Sequence, residues 1–203
     1  MFQFFSKRVN NDLHQAAVEG NLDAIKLLSQ NFNFYIDARN EHEFTALHLA
    51  SRAGHIKIIL FLLEHGADIQ AKNKNNNTPL HSAAYGNQPL AITILLNNGA
   101  NRNAQNKDGD TPLHSAAWKG HSFAINTLAH DHETLDLTNN DGDTPLHLAA
   151  WNNHVQAIHA LKYLGANIEA LNIEGNTPSD LARQKQYEDV ITALQASQKT
   201  LRP

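Results

Sequence analysis

Thirteen histidines in 203 residues are the first side chains to ask for chemistry, because an imidazole can exchange a proton near neutral pH or bind a metal. Spacing narrows that possibility. His14, His48, His81, His114 and His147 fall inside a recurring Leu-His pattern, and His55, His121 and His154 occupy or follow a recurring turn. His42, His65, His130, His132 and His159 are scattered. There is no HExxH pair, no GxSxG elbow and no Gly-rich phosphate loop ending in Lys and Ser or Thr. The absence of cysteine removes thiol nucleophiles, disulfides, thiolate zinc and iron–sulfur clusters. The run LAHDHETLD, Leu128 to Asp136, gathers His130, Asp131, His132 and Glu133, donors suited to zinc or nickel. Adjacent residues do not readily converge on one ion, however, and no distant third ligand is identifiable, so a solvated loop is the reading adopted. NKDGDT resembles the start of a calcium loop, but numbering twelve residues from Asn106 puts Ala117 where the bidentate carboxylate belongs. No catalytic residue, metal or cofactor is assigned.

The histidines recur because their setting recurs. TALHLA begins at Thr45, TPLHSA at Thr78 and Thr111, TPLHLA at Thr144 and TPSDLA at Thr177, a constant step of 33. A weaker copy, NDLHQA, begins at Asn11, one residue out of step because of an insertion within FNFYIDARNEHEF. The step, the TPLHxA signature, the Gly54-His55 and Gly120-His121 pairs and the Gly-Ala pairs at Gly66, Gly99 and Gly165 resemble the ankyrin repeat. The resemblance covers almost the whole chain. It implies an all-α solenoid: two antiparallel helices per unit, a β-hairpin projecting between units, and a curved stack whose concave face is formed by hairpins and first helices. A single domain over 1–203 is expected, with repeats at about 11–44, 45–77, 78–110, 111–143, 144–176 and 177–197, the last a cap, and a short tail at 198–203.

The residues support this reading without the family. Threonine is a good N-cap and proline is tolerated at N1, where its missing N–H is an orphan anyway. Histidine then stands at N3, the capping-box position, and can reach back to the cap backbone. Nine residues after each threonine stands Gly54, Asn87, Gly120 or Asn153, suited to a left-handed helix stop. A second amphipathic segment follows, such as Ile56 to Gly66, and then an Asp-Gly turn. Since one unit cannot bury its apolar face alone, terminal units should differ. The last copy has Ser179-Asp180 in place of Leu-His and continues as the polar ARQKQYEDV. At the other end Phe2, Phe4 and Phe5 either fold over the first unit or form a separate docking motif.

Positions that vary between units carry identity. Seven residues after the threonine come Arg52, Tyr85, Trp118, Trp151 and Gln184, and in the arrays this sequence resembles that helix end lines the concave groove. Tyr85, Trp118 and Trp151 then form an aromatic stripe, with Arg52 beside it, of a type enriched at binding hot spots; the alternative is that the rings pack between helices. The hairpin tips bring Asp108, Asp110, Asp141, Asp143 and Glu174 to successive fingers. They read either as turn residues or as carboxylates for a basic or cationic partner segment, paired with Arg or Lys that stack on the rings. Exposed pairs of this kind contribute about 0–1 kcal/mol each, so affinity would rest on the aromatics.

Composition sets the remaining limits. A formal charge of −4 with no basic run longer than Lys7-Arg8 lacks the footprint of a nucleic-acid binder. The most apolar segment, Ile56 to Leu63, is interrupted by Lys57 and falls far short of the roughly 20 residues that cross a bilayer. The expectation is a monomeric, cytoplasmic, non-enzymatic module that binds another protein as adaptor, scaffold or inhibitor; a self-associating structural chain or an enzyme with a dispersed site is the alternative. Abundant asparagine, as at Asn73, Asn106, Asn139 and Asn172, fits turns and also an AT-rich genome, as in intracellular bacteria that deliver such proteins into host cells.

Overall fold

The computed structural model describes residues 12–31, 34–129 and 132–196, excepting the side chains of His132 and Glu133. Phe2, Phe4, Phe5, His130, Asp131 and the 198–203 tail lie outside this set. Helix α1 covers 12–19. It is followed by α2 Leu22–Ser29, α3 Ala46–Ala53, α4 Ile56–Glu64, α5 Pro79–Tyr85, α6 Pro89–Asn97, α7 Pro112–Trp118, α8 Ser122–Leu128, α9 His132–Leu135, α10 Pro145–Trp151, α11 Val155–Leu164, α12 Pro178–Gln184 and α13 Glu188–Gln195. The chain forms two compact units, Met1–Asn101 and Arg102–Pro203. In the first, α3 packs on α5, each pairs with its own second helix, α4 or α6, and α2 and α6 lie against α4. In the second, the first helices α7, α10 and α12 stack in order, as do α8, α11 and α13 behind them.

Each first helix begins as the threonine dictates. Thr45, Thr78, Thr111 and Thr144 are buried caps in extended conformation, and each forms a reciprocal capping box with His48, His81, His114 or His147. The Thr45 N–H donates to His48 Nδ1 at 3.2 Å. An accepting Nδ1 leaves the proton of the neutral ring on Nε2, and that nitrogen donates across the repeat to the carbonyl of Asn77 at 2.9 Å. His114 and His147 likewise reach the carbonyls of Asp143 and Asn176 at 2.9 and 3.0 Å. The capping role read from sequence is thus half of the side chain's work; the other half ties one unit to the next. Asp180 holds this place at Thr177, makes the same cap bonds at 2.6 and 3.0 Å, and has no second donor.

The helix stops also fall where expected. Gly54, Asn87, Gly120 and Asn153 take φ of 77°, 53°, 73° and 60°, and Gln186 takes the same conformation in the last repeat at 60°. A second histidine series sews the units in the opposite direction: His55 Nε2 donates to the Val18 carbonyl and His154 Nε2 to that of Trp118, both at 2.9 Å. Gly120 is doubly constrained, since a Cβ there would lie 2.6 Å from the His154 ring.

The expected β-hairpins are not seen as strands among the described residues. Each finger is an asparagine-centred turn instead. Asn106 Oδ1 accepts the N–H groups of Asp108 and Asp110, both at 2.9 Å, and Asn139 Oδ1 those of Asp141 and Asp143, both at 3.0 Å. Donors that would feed a strand ladder are thereby consumed locally. The unit lacking its glycine ends as its sequence required: α8 breaks at Ala129 in extended conformation, and Arg102 donates to the freed carbonyl of Leu128.

Candidate functional site

The aromatic residues are the last residues of α5, α7 and α10. Tyr85, Trp118 and Trp151 are 38, 45 and 37% exposed. In the first unit the Arg52 guanidinium sits 4.7 Å from the Tyr85 ring centroid, which unites two expected site residues. In the second, Lys185 Nζ lies 3.7 Å from the Trp151 ring centroid. Part of the Tyr85 ring and part of the Trp151 ring therefore already carry a cation from the chain itself. Lys185 was missed in the sequence; the only available signal was its place one residue beyond Gln184 in the following repeat.

In the last repeat the position seven residues after the threonine meets the finger residue just before that threonine: Gln184 Nε2 donates to Asn176 Oδ1 at 3.1 Å. The matching positions in the two preceding repeats hold Trp118 with Asp110, and Trp151 with Asp143.

The five finger acids divide by role. Asp108, Asp141 and Glu174 are exposed and occupy one position in three successive fingers. Asp110 and Asp143 are half-buried and accept hydrogen bonds from the next finger, from Asn139 Nδ2 at 2.9 Å and Asn172 Nδ2 at 2.8 Å. Turn chemistry thus explains the second pair and leaves the first three carboxylates facing solvent. Burial raises the Asp110 pKa above the usual carboxylate value; the Asn139 bond opposes this, and the charges of Asp108, Asp141 and Asp143 add to it. Repulsion among these carboxylates is what a bound cation would relieve.

Charge is unevenly divided. Residues 102–203 hold twelve of the twenty Asp and Glu and eight of the sixteen Lys and Arg, so the whole formal charge of −4 belongs to that part of the chain. Among the described residues no group of three or more His, Asp or Glu could hold a metal ion, and no helix is long and apolar enough to cross a membrane. Two exposed apolar residues that sequence reasoning passed over, Leu171 and Ile173, lie in the last finger beside Glu174.

Comparison with known proteins agrees with this architecture. A model of ankyrin repeats in three copies matches residues 5–73 and 69–139, and a model of the single ankyrin repeat matches 141–173. The crystal structure of an ankyrin repeat domain from Acinetobacter baumannii AYE superposes with a TM-score of 0.71 at 32% identity, covering 90% of this chain and 95% of that one. Alpha-latrocrustotoxin-Lt1a of Latrodectus tredecimguttatus is 35% identical over 66 residues, 32% of this chain and 5% of the toxin. Ankyrin repeat and SOCS box protein 2 of Bos taurus is 43% identical over 56 residues, 28% of this chain and 9% of the relative. Notch-regulated ankyrin repeat-containing protein A of Danio rerio is 41% identical over 51 residues, 25% of this chain and 45% of the relative. In each of these three the match spans less than half of the relative's length.

Proposed function

The chain belongs to the ankyrin repeat family, whose all-α solenoids are in general protein–protein interaction modules, and we propose from that premise that it binds a partner protein through the helix ends and fingers. The partner-facing residues are Arg52 and Tyr85 in the first unit, and Trp118, Trp151 and the finger carboxylates Asp108, Asp110, Asp141, Asp143 and Glu174 in the second. The observation that carries this is the half-exposure of Trp118 and Trp151, at the helix position that in the last repeat meets its finger. Exposed aromatic surface of this size is the material of binding hot spots.

The chemistry favours a basic segment. Its lysines or arginines pair with Asp108, Asp141 and Glu174, which set orientation and association rate, while contact with the indoles supplies affinity. Because Lys185 already rests on Trp151, a partner cation there must displace it; an apolar side chain at the ring edge need not. Action as an effector inside a host cell would be one form of this binding; the asparagines that suggested it, at positions 106, 139 and 172, also hold the fingers together.

The test is capture from lysate by the native chain beside a Tyr85→Ala, Trp118→Ala, Trp151→Ala variant whose circular dichroism matches it. Truncating a hot-spot aromatic costs about 2 kcal/mol or more, so capture of specific partners should fall at least tenfold. Equal recovery of the same proteins refutes the stripe, and a mass that rises with concentration for the native chain alone points to self-association instead.

A further inference from the structure

Leu171 and Ile173 are 64 and 75% exposed on either side of Asn172, whose side chain turns inward to hold the finger through Glu174, Asn176 and Asp143. The scaffold does not call for apolar residues there. The matching positions of the other fingers are Lys72 and Lys74, Gln105 and Lys107, and Thr138 and Asn140, so polar side chains satisfy the fold at every other step. Ile173 is anchored by its N–H, which donates to the Asp141 carbonyl at 3.1 Å, and its side chain lies over Gly142. The pair is thus an apolar tip fixed beside the exposed carboxylates of Asp141, Glu169 and Glu174.

We propose that Leu171 and Ile173 are a specificity-determining contact of the partner site, and that its occupant is a cationic amphipathic segment of another protein, in which apolar side chains are interspersed with lysine or arginine. Charge complementarity selects this occupant: an apolar segment flanked by acids would meet Asp141, Glu169 and Glu174, and a purely basic one would leave Leu171 and Ile173 in water. The inference rests on the protein-binding reading above and narrows its partner class.

The experiment uses fluorescein-labelled heptapeptides at physiological salt: alternating Lys-Leu, alternating Lys-Gly of equal charge, and alternating Glu-Leu. Anisotropy titrations compare the native 203-residue chain with a Leu171→Thr, Ile173→Asn variant, which reproduces the preceding finger and so carries little folding risk, and with a Trp118→Ala, Trp151→Ala variant. The native chain is expected to bind Lys-Leu at least tenfold more tightly than Lys-Gly, with Glu-Leu weakest, and the finger variant to lower Lys-Leu to the Lys-Gly level. An unchanged Lys-Leu preference in the finger variant overturns the inference, as does equal binding of Glu-Leu. A native dimer in sedimentation that the finger substitutions dissolve also overturns it, by making a second copy the occupant. If the finger variant behaves as the native chain while the tryptophan variant loses peptide and lysate capture, this inference falls alone; if no basic peptide binds the native chain and the aromatic variant captures the same partners, both fall.

Discussion

Acid should loosen the stack through its capping histidines, and His48 lets the effect be sized. The ring is fully buried, accepts at Nδ1 from Thr45 and donates at Nε2 to Asn77. A second proton would have to be placed at Nδ1, against the Thr45 N–H. Burial is the main cause that pushes the pKa down to about 4 from 6.5; nearby Arg39 and His81 lower it further, and hydrogen bonds to Asn77 and Ala71 oppose the shift. A histidine with a lowered folded pKa contributes its full stability above the unfolded value and loses it as the pH falls from about 6.5 toward 4. Linkage between these two values makes the loss about 2 kcal/mol at pH 5. The His147 pKa is lowered as well, chiefly by burial, and acts in the same direction. Carboxylate shifts run both ways, Asp37 and Asp110 upward by burial and Asp180 downward through Thr177, so a comparison with a His48→Gln variant is needed to cancel them. Urea unfolding of both proteins at pH 7.5 and 5.0 supplies it. The variant should be less stable at pH 7.5 yet lose about 2 kcal/mol less on acidification. Equal losses in the two proteins would show that burial does not hold His48 neutral, and the linkage argument would fail.

Further perturbations follow from the same contacts. Gly120→Ala meets both a φ of 73° and the His154 ring, whereas Gly66, at φ 84°, has nothing within 4 Å of an added Cβ; the first should cost about 2–4 kcal/mol and the second about 1, read as urea midpoints. Lys162, buried on α11, donates to the carbonyls of Ala193, Leu194 and Ala196 at 2.5, 2.5 and 3.0 Å. Lys162→Met should therefore raise amide exchange in α13 and cost about 1–3 kcal/mol through carbonyls left unsatisfied. Asn139→Asp keeps the turn acceptor but sets a carboxylate against Asp110, so it should cost about 1–3 kcal/mol at pH 7.5, a deficit against the native chain that shrinks on acidification as one of the two acids is protonated.

The frame was legible because its causes are local. Thr-Pro starts a helix and Gly or Asn stops it nine residues later wherever the pair recurs, and a fixed step then places every unit. What the sequence hid depends on partners without a sequence mark. The Nε2 acceptors of His48, His114 and His147 are backbone carbonyls 29 residues away, and any residue could supply a carbonyl. The same holds for Lys162 at the end of α13. The strands expected from the Asp-Gly turns gave way because one asparagine oxygen takes two N–H groups, a competition that the dipeptide alone does not reveal. At the candidate site the aromatic positions followed from register, but the cations resting on Tyr85 and Trp151 depend on side-chain reach, and the split between structural Asp110 and Asp143 and exposed Asp108, Asp141 and Glu174 emerges only when neighbouring fingers are seen together.

The most direct test of partner binding at the helix ends is photo-crosslinking in cell lysate, with benzoylphenylalanine at Trp118 and, as control, at exposed Asn126 on α8. The account predicts a heterologous adduct from position 118, mapped by mass spectrometry to a lysine- or arginine-rich segment, with several-fold lower yield from position 126. Equal yields from the two positions, or adducts of the chain with itself alone, would contradict it.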